Sequence, residues 1–302
     1  MKTTIDWMTF RTQADPREAL EALRPMFGTV GPDLRLKGLE RGAMGFQQAS
    51  NIVFCDMPVG RMDFGGESQR GWVRTALTGK GCEWVQDWQA AQAVEQLPAA
   101  QLRRLDIALT TWNGEIGHDS IVAAHTAGRF NTGGRNPDLQ QITNSNPIAG
   151  RTCYVGKRTS DRFLRAYEKG FELNAKAGGN VTHIDGFPIE GIYRTELELK
   201  AANTELTWDL IERRDQYFAG SYPFCAEVLP GVEADILQRR PERAPQTDLS
   251  TALENIRIQY GPTLFTALLA YEGDMTAVWD KIIGKEHNQH LLEAGVLLVE
   301  HA

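Results

Sequence analysis

The stretch Gly150–Glu172, GRTCYVGKRTSDRFLRAYEKGFE, decides how the rest of the chain reads. Alternation of β-forming and polar residues predicts a strand over Thr152–Lys157, a polar turn at Arg158–Asp161 and a second strand from Arg162 to about Phe171. That pattern is a β-hairpin. Side chains alternate along a strand, so Phe163, Arg165, Tyr167 and Lys169 share one face while Leu164, Ala166 and Glu168 take the other. A tyrosine is thereby flanked by two cations. Such cations favour a phenolate and hold phosphate, which makes Tyr167 a candidate nucleophile beside a bound phosphodiester. The same residues also suit an ordinary strand, with the ring packed on its neighbours and the charges in water.

Two other strands carry charge in the same alternating way. In Leu102–Trp112 (LRRLDIALTTW), Leu105, Ile107 and Leu109 face inward, leaving Arg104 and Asp106 on the opposite side. Tyr193–Lys200 (YRTELELK) puts Arg194, Glu196, Glu198 and Lys200 on one face and Thr195, Leu197 and Leu199 on the other. If these strands neighbour the hairpin, their polar faces merge into one patch of carboxylates, cations and a tyrosine. A hard divalent ion, Mg²⁺ or Mn²⁺, prefers oxygen ligands of the kind Asp106, Glu196 and Glu198 supply, and would assist phosphoryl transfer. A ladder of cross-strand salt bridges on a solvated face explains the same pattern without chemistry.

Elsewhere the chain is strand-rich to about residue 200 and helical beyond. Thr3–Thr12 reads as a strand, and Pro16–Phe27 as a helix capped by Asp15 and cut short by Pro25. Residues 34–77 read as an antiparallel meander with glycine turns. Gly81–Gln96 is predicted helical, with Gly79–Cys82 (GKGC) as the turn before it, and His118–Ala127 forms a short helix. The glycine- and asparagine-rich segment 130–141 is expected to be a mobile loop. Helices are predicted at Glu205–Gln216, Tyr222–Leu229, Asp248–Tyr271 and Asp274–Gly284, with 231–248 as an exposed linker. The fold class is therefore α+β: an antiparallel sheet domain over 1–204 and a mainly helical region over 205–302.

Composition narrows the function. Apolar residues at 42% and charged residues at 24% are ordinary globular values, and the polar N-terminus with no apolar run of membrane-spanning length predicts a cytoplasmic protein without membrane contact. The four cysteines lack CxxC spacing and read as buried thiols. The six histidines include no His-x-His pair and no HExxH, and neither a GxSxG elbow nor a GxxxxGK[ST] loop is present. A net charge of −7 argues against a general nucleic-acid coat. Gly150–Glu172 nevertheless holds six Lys or Arg against three Asp or Glu, whereas 231–302 holds six against eleven. That asymmetry suits DNA binding at one place.

At IDWMTF, LTGKGCEWV, RRLDIALT, TCYVGKRTSDRFLRAYEKGFE, YRTELELK and QYFAGSYPF, in that order over roughly residues 5–230, the chain resembles the replication initiation factor family. That family includes rolling-circle initiators of small plasmids and replication proteins of filamentous phages. The resemblance implies metal-dependent nicking and rejoining of one strand at an origin. Tyr167 matches the nucleophile of the family's RxYxK motif, with Arg165 and Lys169 beside it, and Asp106, Glu196 and Glu198 match its acidic positions. Many relatives carry a second acidic residue after RLDIAL, where this chain has Thr110 or Thr111, so more weight falls on Glu196 and Glu198. Further implications are single-stranded or hairpin origin DNA as partner, contacted by Tyr154, Arg158 and Arg194, and a 3′ hydroxyl left for a polymerase. The C-terminal helices suit either a homodimer or recruitment of a host helicase. A non-catalytic origin or operator recogniser is the alternative of a different class.

Overall fold

The computed structural model describes residues 2–238, 249–288 and 291. The strands in chain order are β1 (Thr4–Thr12), β2 (Arg35–Leu39), β3 (Gln48–Phe54), β4 (Met57–Phe64), β5 (Val73–Leu77), β6 (Gln101–Thr111), β7 (Leu139–Ile142), β8 (Thr152–Val155), β9 (Arg162–Tyr167), β10 (His183–Ile184), β11 (Phe187–Pro188) and β12 (Tyr193–Lys200). Ten of them form one sheet in the order β2-β3-β4-β5-β1-β6-β12-β9-β8-β7, and β10 and β11 make a separate ribbon. Every pairing is antiparallel. The helices are α1 (Pro16–Leu23), α2 (Gly79–Glu83), α3 (Gln92–Glu95), α4 (His118–Thr126), α5 (Lys169–Lys176), α6 (Arg214–Ser221), α7 (Pro223–Val228), α8 (Leu249–Ala270) and α9 (Met275–Ile282).

Period-two patterning sets which face of the sheet is buried. Leu105, Ile107 and Leu109 of β6 and Leu197 and Leu199 of β12 are fully buried, in one core with Leu20 and Leu23 of α1, Ile121 of α4, and Phe218, Phe224 and Cys225 of α6 and α7. Each such side chain contributes about 1.5–3 kcal/mol by leaving water. α1 is started by a capping box in which the Asp15 carboxylate accepts from the Arg17 and Glu18 amides while Glu18 accepts from the Asp15 amide. The meander β2–β5 follows the sequence reading, as does the switch from strands to C-terminal helices.

Several local expectations give way to tertiary contacts. The second hairpin strand ends at Tyr167, and a helix, α5, begins at Lys169. Gly170 makes this possible: a Cβ there would lie 1.9 Å from the Ile189 carbonyl oxygen, so only glycine lets the two backbones meet. The helix expected over 81–96 is broken, because the Gln86 and Asp87 amides donate to the Met26 carbonyl rather than to a helical ladder. GKGC is itself the helix α2, capped by the Thr78 hydroxyl, not a turn before one. Residues 205–216 hold one short 3₁₀ turn, Trp208–Leu210, before α6. Leu139–Ile142, expected in a loop, pairs with β8 as the edge strand β7. Cys55 is exposed, whereas Cys82, Cys153 and Cys225 are buried.

The chain forms two compact units: Met1–Gly65 with Gly71–Arg240, and Gly66–Arg70 with Pro241–Ala302. The division expected after residue 204 falls inside the first unit, because Phe218, Phe224 and Cys225 are buried in the same core as the sheet. α8 and α9 belong to the second unit. Part of the expected linker 231–248 lies outside the described residues. Among the described residues, no helix is long and apolar enough to cross a membrane.

Candidate active site

β6, β12 and β9 lie side by side, and their register brings the polar faces together. Asp106 pairs with Glu198 and Ala108 with Glu196 across β6 and β12. Arg165 pairs with Glu196, Tyr167 with Arg194 and Phe163 with Glu198 across β9 and β12. Side chains on facing residues of one sheet face are neighbours, so groups some 90 positions apart in the chain meet.

The Tyr167 hydroxyl donates to Glu196 Oε1 at 2.7 Å. The other carboxylate oxygen of Glu196 accepts from Arg165 Nε at 2.9 Å and from a second nitrogen of the same guanidinium. Arg165 also lies over the Tyr167 ring, 4.8 Å from its centroid. Lys169 reaches the hydroxyl from the first turn of α5, with Nζ 3.3 Å from the phenol oxygen and 3.0 Å from both oxygens of Glu172. It meets Tyr167 from a helix, not from the extended strand that the alternation predicts. Tyr167 is 8% exposed and is one of the residues lining a cavity of about 240 Å³, with Gly150, Thr152, Tyr154, Arg165 and Glu172.

These contacts reverse the electrostatic expectation for the phenol. Both flanking cations are engaged by carboxylates, so burial, reinforced by the negative charge of Glu196, pushes the Tyr167 hydroxyl well above its ordinary value. Tyr167 is held protonated. Burial, with Arg194 nearby, lowers Lys169. Glu172 is brought down to about 2: burial opposes its ionisation, but bonds from Lys176 and Lys169 outweigh it.

The remaining carboxylates are bridged by a cation of the chain itself. Arg104 Nη2 lies 2.6 Å from Asp106 and 2.7 Å from Glu198, and Lys200 also pairs with Glu198. Burial raises Asp106 to about 6, with Glu198 and Glu196 adding to the rise and the Arg104 bonds working against it. The Mg²⁺ or Mn²⁺ expected at Asp106, Glu196 and Glu198 finds no ready ligand set. Among the described residues no three His, Cys, Asp or Glu side chains are grouped to hold an ion, and in this arrangement guanidinium groups bond to all three carboxylates.

The three expected DNA contacts divide. Arg158 is exposed and stacks over Tyr154 and Phe163, 5.1 and 5.0 Å from their ring centroids. Arg194 bonds Asp6 at 3.0 Å and the Thr110 hydroxyl at 2.9 Å, within the sheet face. Asp6 and Trp7 were not anticipated from the sequence. The register of β1 against β6 shifts between Ile5 and Trp7, a bulge that turns Asp6 and Trp7 together toward the polar side. Its sequence signal is the three-residue spacing of the buried Ile5 and Met8, which strict alternation does not allow.

Residues 100–252, just over half of the chain, match the family described as replication initiation factor, and the chain belongs to that family. The region contains the three strands and α5. The solved rolling circle replication initiator protein from Geobacillus stearothermophilus has a similar fold, with a TM-score of 0.54 and 21% sequence identity, over 83% of this chain and 90% of that one. No curated protein matches this chain.

Proposed function

We propose that this chain is a rolling-circle replication initiator that breaks and rejoins one DNA strand through Tyr167. The observation that carries the reading is the Tyr167 hydroxyl at 2.7 Å from Glu196, with Lys169 and Arg165 against the same phenol. A phenol held protonated needs a base at the moment of attack, and Glu196 is within hydrogen-bond reach of its proton. In this mechanism the phenol oxygen attacks the scissile phosphorus as its proton passes to Glu196. The bond to the 3′ oxygen breaks, the 5′ phosphate stays on Tyr167 as an ester, and the 3′ oxygen takes a proton from water. Lys169 and Arg165 offset the charge that builds on the phosphate oxygens. Rejoining reverses these steps, with Glu196 returning its proton, so no nucleotide hydrolysis is required. A divalent ion would supply further stabilisation of the phosphate charge, but in this arrangement the guanidinium groups of Arg104 and Arg165 hold the carboxylates that would bind it.

The partner in this reading is single-stranded or hairpin origin DNA, in which an unpaired segment brings its phosphate to a phenol that is only 8% exposed. The free 3′ end would serve a polymerase, and α8 and α9 would join two copies or recruit a helicase. The test is to mix the protein with candidate single-stranded oligonucleotides, with and without Mn²⁺, and look by mass spectrometry for a nucleotide adduct on the Tyr167 peptide. An adduct lost in Tyr167→Phe supports the reading; an adduct at another residue, or strand breakage surviving Tyr167→Phe, overturns it. The burial and raised pKa of the phenol favour the second reading, a non-catalytic origin or operator recogniser, which binds DNA equally well with phenylalanine there and forms no adduct.

A further inference from the structure

A second cavity, of about 320 Å³, lies on the same sheet face, beside the tyrosine pocket and sharing Arg165 with it. Its floor and walls come from one row across four strands. Trp7 pairs with Asp106, Asp106 with Glu198, and Glu198 with Phe163. Strands about 4.8 Å apart put the two aromatic residues about 14 Å apart, with the two carboxylates between them. Each aromatic ring carries a guanidinium: Arg104 lies 5.1 Å from the Trp7 ring, and Arg158 lies 5.0 Å from that of Phe163. The Trp7 ring is also held by its indole N–H, which donates to the Thr9 hydroxyl at 2.9 Å.

We propose that this cavity holds one unpaired nucleobase of the bound strand, and that it selects guanine over thymine. This rests on the reading of the chain as a DNA strand transferase. Guanidinium planes and aromatic rings both stack on bases, and here they bound the space at both ends. The floor offers carboxylate oxygens, which accept hydrogen bonds and repel carbonyl oxygens. Guanine presents N1–H and N2–H side by side, a match for the two oxygens of one carboxylate, and its O6 can accept from an arginine. Thymine presents a single N–H between two carbonyls, and those oxygens would face the carboxylates. Arg104 forks both oxygens of Asp106, so the acceptor for the base is Glu198, whose two oxygens accept from separate groups, Arg104 and Lys200, and each keep a second lone pair. Because the cavity also touches Arg165 and Glu196, the selected base would lie next to the scissile phosphate.

The test measures binding by calorimetry on two probes, an oligothymidylate and the same oligomer with a single central dG. The wild-type protein is expected to bind the dG probe about tenfold more tightly, the discrimination a bidentate base contact supplies. Trp7→Ala should reduce that preference to less than twofold. Arg158→Ala, at an exposed turn where the fold is not at stake, should reduce it at least threefold. Equal affinity of the wild-type protein for both probes overturns the proposal, and so does a preference that survives intact in Arg158→Ala. The readout is separate from the adduct on Tyr167: a dG preference without any adduct would leave the pocket standing and defeat the strand-transfer reading.

Discussion

Replacing Glu196 with glutamine separates base catalysis from mere packing, because it keeps the size of the side chain and removes its charge. In the folded protein the Glu196 side chain is 8% exposed, accepts from Tyr167 and is paired with Arg165, whose side chain is 40% exposed. Losing charge-assisted bonds to a partly solvated partner costs about 1–2 kcal/mol of stability. The chemical effect is larger. Glutamine accepts the phenol hydrogen bond but cannot accept the proton, so adduct formation in Glu196→Gln should slow by about 10²- to 10⁴-fold. Burial and the Glu196 charge together raise the Tyr167 hydroxyl, and removing the charge should lower it toward its ordinary value. Only phenolate formed beforehand would then react, so the residual rate should climb about tenfold per pH unit through the alkaline range. Single-turnover adduct formation on an oligonucleotide between roughly pH 6 and 10, up to the ordinary phenol value, with binding measured in parallel, reads both effects. An adduct rate within threefold of the wild type and a flat alkaline profile would refute the role given to Glu196.

Other substitutions test the framework around it. Asp106 is raised from 3.8 to about 6, so the folded state binds more protons than the unfolded one in that window. Its contribution to stability is fully present below about pH 4 and is lost as pH rises through about 6, a change of about 3 kcal/mol at 1.36 kcal/mol per unit. Asp106→Asn should remove that slope in urea titrations between these limits. Gly170→Ala would drive its methyl into the Ile189 carbonyl and should cost about 1–3 kcal/mol, and by displacing the start of α5 it should also slow adduct formation through Lys169. Asp15→Ala removes the acceptor for two amides of α1 and should cost about 1 kcal/mol in thermal melts, with no effect on DNA binding.

Alternation in RRLDIALT and YRTELELK was enough to assign both strands and to say which side chains share a face, because a period of two is a local property of extended backbone. The hairpin turn, the capped first helix and the change to helices after residue 200 were legible for the same local reason. Three matters were not. The strand order, which puts β12 between β6 and β9, is a choice among long-range pairings that no short window encodes. The end of β9 and the entry of Lys169 from a helix depend on Ile189, some twenty residues on, approaching Gly170. The state of the tyrosine depends on which acid each cation meets. Read along the chain, Arg165 and Lys169 look like partners for a phenolate; once folded, the adjacent strand and the next helical turn supply the buried Glu196 and the half-buried Glu172, and these carboxylates take those charges first.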